Sequence, residues 1–329
     1  IGTLDALARF AMYTGDASIT NFVKKCYDWA LTKCTAFGWT PGDLKEQAYE
    51  HETCSLVDLI CCGIALAQSG YTEYWGVVER FLRNHLVESQ LLDLGWVEES
   101  DDKSRDIPGK ITYYKVAQRV RGAFAGYSAP NDFACDVNHG RGHTNDLQTC
   151  CIGSGTRGLF MGWSHIITEK NGTYSVNFLL SRGSKQLDVD SYLPHEGRVD
   201  LTIHEDLPNL QIRIPEWAGF NKVRVERHRA NGEVVVQTGK DPSSWLKRCF
   251  LQLGKAYAGE KIIVTFPLEE YTTIEYAVGQ RFEVQWRGDD VVHISPEGKH
   301  RPLYNNRKVY DKAPMREYDY TRPAKELKW

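Results

Sequence analysis

Hydrophobic positions recur at helical spacing along residues 1–169. Asp16 or Ser18 is suited to cap one helix, whose broad apolar face consists of Ile19, Phe22, Val23, Cys26, Trp29, Ala30 and Cys34. The run from Leu56 to Ala67 is apolar on nearly all sides, which is typical of a helix buried by several neighbours. The pattern therefore predicts a helical domain over residues 1–169.

The later part of this region mixes strong and weak helical signals. An amphipathic helix is predicted over residues 72–88, and a short one over residues 116–124. Residues 90–148 otherwise show no period, and a long connection of this kind inside a compact domain is usually functional or disordered. A last helix is predicted over residues 155–168, with an inward face of Leu159, Phe160, Trp163, Ile166 and Ile167.

At Asn171-Gly172 the hydrophobic period changes from helical spacing to strict alternation. Short alternating runs then begin at Val176, Leu187, Val199, Leu210, Val223, Ile262 and Phe282. Several short strands at this spacing predict a β-sandwich over residues 170–298, and Asn231-Gly232 predicts a two-residue hairpin turn within it. Residues 299–329 are charged and rich in tyrosine, without a period, so we expect a C-terminal tail along the surface.

Together the patterns predict an α+β multidomain protein, in which part of an α/α toroid of paired helices precedes the β-sandwich. Too few helices precede the change of period to close a toroid of six hairpins. The chain also begins at Ile1, without a methionine and directly in an amphipathic pattern. We therefore expect the sequence to be part of a longer protein that contains the remaining helices.

Composition and charge exclude several classes of partner. The 329 residues are 42% hydrophobic and 25% charged, and the net charge of −3 provides no basic surface for nucleic acid. No apolar run is long enough to cross a bilayer, so we expect no membrane partner. A homo-oligomer is compatible with this composition.

The chain has nine cysteines, an odd number, and is too large to require disulfides for stability. This favours free or metal-bound thiols in a reducing compartment, so we expect a cytoplasmic location, with the periplasm as the alternative. Asn171-Gly172-Thr173 matches a glycosylation acceptor. The thiols favour interpreting this triplet as a turn.

Two short segments contain a complete set of zinc ligands. Glu52-Thr53-Cys54 and Cys150-Cys151 each precede a helical pattern, and together they offer three thiols and one carboxylate. Calcium and magnesium would prefer oxygen ligands. Adjacent residues of a regular helix point about 100° apart, so the two neighbouring cysteines can share an ion only from an irregular turn, which Gly153 and Gly155 allow.

Other interpretations of these thiols stay open. Free cysteine is often buried as a small hydrophobic residue, which is our interpretation for Cys26, Cys34, Cys61, Cys62 and Cys249. The polar neighbours of the Cys150-Cys151 doublet argue against it there, and they are Gln148, Thr149, Ser154 and Thr156. A zinc ion with a purely structural role, or a metal-free thiol cluster sensitive to oxidation, would also fit the spacing of these cysteines.

Several motifs resemble those of the β-L-arabinofuranosidase family of zinc-dependent glycosidases (glycoside hydrolase family 127). They are Glu52-Thr53-Cys54 at the start of a helix, the Cys150-Cys151 doublet before a later helix, and the segments 174–179, 187–194 and 212–217 of the β region. The resemblance covers most of the chain. It implies that the first half of the family's toroid lies outside this sequence.

The resemblance implies a retaining glycoside hydrolase that binds Zn²⁺ through Glu52, Cys54, Cys150 and Cys151. Cys150 would be the nucleophile, because a thiol on zinc is deprotonated and the thiolate is the reactive form. Its attack on the anomeric carbon would form a thioglycosyl intermediate, which water opens with net retention. The expected substrate is a furanoside or a related plant or polysaccharide sugar.

The general acid that such a reaction needs is not marked by a clear motif. The family takes it from a glutamate before the Glu-Thr-Cys motif, and this sequence departs from the family pattern there. Asp43, Glu46 and Glu50 are the candidates, of which we select Glu46. The doublet is also followed by Ile-Gly-Ser-Gly where family members usually have prolines, which indicates a divergent branch.

Candidate sugar contacts come from the loops. His139 and His143 suit hydrogen bonds to sugar hydroxyls, and Trp39 or Tyr127 suits stacking on a sugar ring, although packing within a loop explains each of them as well. A function of another class also stays open, namely a non-catalytic carbohydrate-binding or scaffold protein with a structural zinc. Solvent access to the Cys150 sulfur distinguishes the enzyme from the non-catalytic protein, because a catalytic zinc site keeps an open position and a structural zinc site is closed.

Overall fold

The computed structural model describes residues 1–42, 51–108, 112–133, 150–238, 246–247, 249–299 and 301–315. The described residues form two compact units. The helical unit consists of the described residues within Ile1–His165 and Glu270–Lys308, and the β unit of those within Ile166–Glu269 and residues 309–315. Among the helices of the described residues, none is both long and apolar enough to cross a membrane.

The helical unit is built around one apolar helix. Its helices are α1 (Gly2–Thr14), α2 (Ala17–Leu31), α3 (Thr53–Gln68), α4 (Tyr74–Phe81), α5 (Val116–Val120) and α6 (Cys151–Ser164). A π-helical turn, Leu82–Leu86, continues α4, and Lys103–Arg105 is a 3₁₀ helix. Helix α3 packs against α1, α2, α4 and α6. This confirms the predicted burial of α3, since four helical neighbours leave few of its positions exposed to solvent.

The predicted cap of α2 is confirmed, whereas its apolar face is narrower than predicted. Asp16 accepts hydrogen bonds from the backbone N–H groups of Ser18 and Ile19, at 2.9 and 3.0 Å. The buried residues of α2 are Val23, Tyr27 and Ala30. Phe22 and Trp29 are exposed, so their assignment to a buried face was wrong. The contacts with α1 and α3 cover only a stripe of the helix.

Helix α6 packs through its small residues, contrary to the predicted inward face. Its buried residues are Cys151, Gly155, Gly158 and Gly162, whereas Phe160 and Trp163 are 60% and 50% exposed. A Cβ on Gly155 would lie 2.1 Å from Phe124, so the close approach of the helix requires glycine there. The helix also ends at Ser164, before Ile166 and Ile167. A hydrophobicity pattern cannot identify a face whose packing residue is glycine.

A small hydrophobic cluster forms a core within residues 91–125, where the sequence shows little periodicity. It consists of Leu91, Leu94, Val97, Val116, Ala117, Val120 and Ala125. The predicted helix over 116–124 ends already at Val120, and Gly122 at φ 78° turns the chain out of the helix. The chain then forms β2 (Tyr127–Ser128), which pairs antiparallel with β1 (His51–Glu52) directly before α3.

The β unit contains two five-stranded sheets. The strands in chain order are β3 (Ile167–Lys170), β4 (Thr173–Val176), β5 (Leu187–Ser191), β6 (Arg198–Ile203), β7 (Leu207–Arg213), β8 (Arg224–His228), β9 (Val234–Thr238), β10 (Leu246–Lys247), β11 (Phe250–Ala256) and β12 (Lys261–Thr265). One sheet has the order β10-β11-β7-β4-β3 and the other β5-β6-β12-β8-β9. The mixture of helices and sheets confirms the α+β class, while the toroid and the sandwich stay predictions.

The hairpin prediction at Asn231-Gly232 was wrong in its length. The backbone N–H of Arg229 donates to the carbonyl of Glu233 at 2.9 Å, which closes a loop of three residues with Gly232 at φ 84°. A two-residue turn occurs instead at Asn171-Gly172, between paired Lys170 and Thr173, with φ of 53° and 77°. Both positions have positive φ, the geometry that matches the twist of a hairpin.

A three-stranded sheet joins the helical unit, which differs from the predicted domain limits. Strands β13 (Glu270–Ala277), β14 (Gln280–Arg287) and β15 (Asp290–Ser295) form it in that order. Buried Arg83 donates to Asp290 at 3.2 Å, and Arg307 donates to Glu88 at 2.6 Å. The sequence pattern predicts residues 270–298 in the sandwich and residues 299–308 in the tail, because alternation alone does not show which core a strand packs against.

Candidate metal centre

The four predicted metal ligands converge where two helices begin. Glu52 precedes α3 and Cys54 lies in its first turn, while Cys150 and Cys151 lie at the start of α6. One ligand atom from each of the four residues lies within 4.8 Å of every other. The Cys54 Sγ is 3.3 Å from the Cys150 Sγ and 3.1 Å from the Cys151 Sγ. The cluster could hold a metal ion.

The β1–β2 ribbon sets the direction of the Glu52 side chain. His51 pairs with Ser128, and Glu52 pairs with Tyr127. His51 and Ser128 are buried, whereas Glu52 and Tyr127 are half-buried. Since side chains alternate between the faces of a ribbon, Glu52 and Tyr127 share the face opposite the core. The Glu52 side chain does not cap α3, so its carboxylate is available to a cation.

Thr53, which the sequence analysis did not single out, ties the ribbon to the helix. Its backbone N–H donates to the Gly126 carbonyl at 3.1 Å, and its hydroxyl donates to the Ala125 carbonyl at 2.7 Å. The same Gly126 carbonyl lies 3.6 Å from the Cys151 Sγ. One short segment therefore fixes the position of ligands from both helices.

Two buried histidines lie on the core side of the β1–β2 ribbon. The Thr40 backbone N–H donates to His51 Nδ1 at 3.1 Å, and burial lowers the pKa of His51 to about 3. His85 Nε2 lies 3.0 Å from the Ser128 hydroxyl, and burial also lowers the pKa of His85 well below its ordinary value. Both rings are therefore neutral at physiological pH. Neither places a positive charge beside the candidate metal centre.

The donor set fits a thiophilic divalent cation. Burial raises the pKa of the Cys54 thiol, and the neighbouring Cys151 and Cys150 sulfurs raise it further. The Cys54 sulfur is thus unfavourable as a free thiolate, and a cation beside it would offset that cost. The positive ends of α3 and α6 both point to the site, which favours the negative form of the ligands. Three sulfurs with one carboxylate are a donor set that zinc accepts.

The ligands differ in their access to solvent. Cys150 is exposed, Glu52 and Cys54 are half-buried, and Cys151 is buried. A metal held here would therefore have one sulfur on an open side and another enclosed by protein. This asymmetry is unlike a sealed structural site.

The other predicted residues fall into two groups. Trp39 is 3% exposed, and its indole N–H donates to the Ser128 carbonyl at 3.1 Å, so its ring has little surface for a sugar. Its burial favours the packing interpretation, and stacking on a sugar stays a prediction. Glu46, His139 and His143 lie outside the described residues, as do the alternative acids Asp43 and Glu50.

The remaining described cysteines are free. Cys61 and Cys62 are buried in α3, which confirms the interpretation as small hydrophobic residues. Cys26, Cys34 and Cys249 are half-buried. Burial raises the pKa of Cys34 to about 12, so it stays a neutral thiol.

Comparison with known proteins identifies the fold. No protein-family model and no curated protein matches the sequence. Among solved structures, a GH127 β-L-arabinofuranosidase from Geobacillus stearothermophilus T6 matches with a TM-score of 0.60 and 16% identity, covering 88% of this chain and 45% of that chain. The chain shares its fold with glycoside hydrolases.

Two further solved structures agree with this result. A protein described as a glycoside hydrolase matches with a TM-score of 0.59 and 14% identity, covering 88% of this chain and 50% of that one. A GH127 β-arabinofuranosidase matches with a TM-score of 0.58 and 17% identity, covering 88% and 46%. This chain therefore spans about half the length of the glycoside hydrolases that it matches. The resemblance inferred from the motifs is confirmed at the level of fold.

Proposed function

We propose that the chain contains the zinc-thiolate centre of a retaining glycoside hydrolase, with Cys150 as the nucleophile. The observation that supports this most directly is the exposure of Cys150 within a cluster of four ligand side chains. A structural zinc has its ligands closed off, whereas a catalytic centre keeps one position open. The shared fold with glycoside hydrolases supports a carbohydrate substrate, for which a furanoside or a related plant or polysaccharide sugar is the candidate.

Each ligand has a distinct part in this proposal. Zinc held by Glu52, Cys54, Cys150 and Cys151 would supply the positive charge that keeps the sulfurs deprotonated at neutral pH. Glu52 is directed by the β1–β2 ribbon, and Cys151 is enclosed beside the Gly126 carbonyl. Cys150, at the open side, is the sulfur that a substrate can approach.

The reaction proceeds through two displacements at the anomeric carbon. The Cys150 thiolate forms a C–S bond as the glycosidic C–O bond breaks, and the leaving oxygen takes a proton from a carboxylic acid, for which Glu46 is our candidate. The resulting carboxylate then removes a proton from water. The water oxygen attacks the same carbon, the C–S bond breaks and Cys150 leaves as thiolate. Two inversions give net retention.

Substitution of Cys150 tests this function. Wild type, Cys150→Ser and Cys26→Ser are assayed against aryl furanosides and pyranosides, with the zinc content of each protein measured. We expect Cys150→Ser to lower turnover by about 10³-fold or more, because a serine hydroxyl is not ionised at neutral pH. Cys26→Ser is the matched control, since Cys26 lies on α2 and outside the cluster, and it should retain full activity.

The intermediate can be detected directly. After acid quenching during turnover, the peptide that contains Cys150 should gain the mass of one glycosyl group. Full turnover by Cys150→Ser would overturn the nucleophile assignment. A wild-type protein that binds zinc and sugar but cleaves no glycoside would instead support the non-catalytic carbohydrate-binding alternative.

A further inference from the structure

The candidate metal centre contains one sulfur that solvent reaches and a second sulfur next to it. Cys150 is exposed at the start of α6, and its Sγ lies 3.3 Å from the Sγ of half-buried Cys54 on α3. The Sγ of buried Cys151 lies 3.1 Å from the same Cys54 sulfur. An oxidant that enters from solvent therefore meets the Cys150 sulfur first, with the Cys54 sulfur within reach for a second step.

The packing of α3 against α6 holds this pair of sulfurs together. A Cβ on Gly158 would lie 2.8 Å from Val57, so the two helices approach closely. Arg157 of α6 also forms an ion pair with Asp58 of α3. Since the sulfurs are 3.3 Å apart, a disulfide bond of about 2.05 Å requires one of them to move by roughly 1.3 Å. Rotation of the exposed Cys150 side chain about its Cα–Cβ bond can supply a movement of this size.

Cys54 is a better disulfide partner for Cys150 than the adjacent Cys151. The Cα atoms of bonded cysteines usually lie roughly 4.4–6.8 Å apart, whereas neighbouring Cα atoms across a trans peptide lie only about 3.8 Å apart. Cys150 is also the N-cap of α6 and Cys151 its first residue, and adjacent side chains of a helix point about 100° apart. A bond between Cys54 and Cys150 avoids both costs, because the two residues lie on different helices.

We propose that Cys150 is an oxidation site and that Cys54 is its resolving partner, so that hydrogen peroxide converts the pair into a disulfide. The Cys150 sulfur takes one oxygen of the peroxide as the O–O bond breaks, and the other oxygen leaves as water. The Cys54 sulfur then attacks the sulfur of the resulting sulfenic acid. The S–S bond forms, the S–O bond breaks and the oxygen leaves as a second water. Two thiols and one hydrogen peroxide thus give one disulfide and two waters.

This disulfide prevents metal binding at the centre. Thiolate is the form of cysteine that binds a metal, and the bond removes two of the four ligands. It also blocks Cys150 as a nucleophile until a dithiol reductant restores both thiols by exchange. The loss of metal binding and of catalysis rests on the proposed function, whereas formation of the disulfide requires only the two sulfurs.

The test maps the disulfide in reduced protein that is treated with hydrogen peroxide. Metal-free and zinc-loaded samples are oxidised, denatured and alkylated, and their cross-linked peptides are identified by mass spectrometry. We expect the number of free thiols to fall from nine to seven, with one cross-link between the peptides that contain Cys54 and Cys150. A dithiol reductant should restore all nine thiols. The zinc-loaded sample should release its zinc to a chromophoric chelator as the cross-link forms.

Serine variants assign the cross-link to single residues, because Cys150 and Cys151 lie in the same tryptic peptide. Cys151→Ser and the control Cys26→Ser should keep the cross-link, whereas Cys150→Ser should lose it. Cys54→Ser should instead accumulate the Cys150 sulfenic acid, which a dimedone probe traps as an adduct of known mass.

A wild-type protein that keeps nine thiols, or a cross-link that persists in Cys150→Ser, would overturn the proposal. The thiol count of wild type requires no variant, so misfolding of a serine variant does not hide this result. A protein that forms the Cys54–Cys150 disulfide but binds no zinc would support the oxidation site while refuting the proposed metal centre. A protein that binds zinc and cleaves glycosides but forms no disulfide would overturn the oxidation site and leave the proposed function intact.

Discussion

His85 shows how a single buried residue makes the stability of the protein depend on pH. Its ring nitrogens contact the Ser128 and Tyr304 hydroxyls, and burial lowers its pKa well below the ordinary value. The unfolded chain takes up a proton near pH 6.5 while the folded chain stays neutral. The free energy of unfolding should therefore fall as pH drops below about 6.5, by about 1.4 kcal/mol per pH unit for each such group.

The variant His85→Asn isolates this contribution. Denaturant unfolding of the metal-free protein at pH 7, 6 and 5 should show a weaker pH dependence for His85→Asn than for wild type. His293→Asn, on β15, serves as the control and should keep the wild-type dependence. Parallel curves for all three proteins would show that His85 is protonated in the folded state, contrary to its burial.

The ligands could be predicted from the sequence, but the residues that hold them could not. Cysteine and glutamate in two clusters reveal their chemistry by type and spacing alone. Thr53 is a common residue whose importance comes from partners distant in sequence, at Ala125 and Gly126. Such contacts depend on tertiary structure, and no local pattern encodes them. Trp39 illustrates the opposite case, since its place in a turn-rich segment favours a contact with sugar, whereas its burial in the core favours packing.

At the scale of secondary-structure elements, the glycine face of α6 determines how close its cysteines come to α3. Gly155→Ala should destabilise the protein by about 1–3 kcal/mol, because the new methyl group would overlap the Phe124 ring. Gly153 lies in the same helix with nothing within 4 Å of its Cβ position. Gly153→Ala should therefore be neutral or stabilising by up to about 1 kcal/mol, since alanine favours helix.

Denaturant unfolding of the two alanine variants gives a direct comparison. Equal stability of both would mean that α6 does not pack through its glycines. The predicted buried face of α6 was wrong because a hydrophobic period is defined by large apolar residues. Phe160 and Trp163 are exposed, whereas Gly155 is buried. The burial of α3 was predictable, since a helix that is apolar on nearly all sides is stable in a soluble protein only when other elements cover it.

At the scale of the whole molecule, the class of fold followed from the change of period, and the grouping of strands did not. Residues 270–295 alternate like the strands of the β unit, yet they belong to the helical unit. These strands share a hydrophobic core with Phe37 and Trp39, and Asn84 of the π-helical turn donates to the Asp289 carbonyl and accepts from the Val291 N–H, both at 2.8 Å. Hydrophobic alternation shows that one face of each strand is buried, but it does not show against which part of the chain.

This division of the chain predicts that metal removal affects one unit only. All four ligands lie in the helical unit, and a ligand that binds only the folded state at 1,000 times its Kd stabilises that state by about 4 kcal/mol. Zinc should therefore increase the hydrogen-exchange protection of α3, α6 and the β1–β2 ribbon, and a chelator should reverse the increase. Strands β5, β6 and β12 of the β unit should exchange at the same rate with and without zinc.

The variant Cys54→Ser is the control for this experiment. It removes one sulfur from the cluster, and its helical unit should gain little protection when zinc is added. Protection of β5, β6 and β12 by zinc would mean that the two units unfold together, since metal binding in one would then stabilise the other. Protection of neither unit in wild type would show that the four side chains do not hold zinc, however closely they converge.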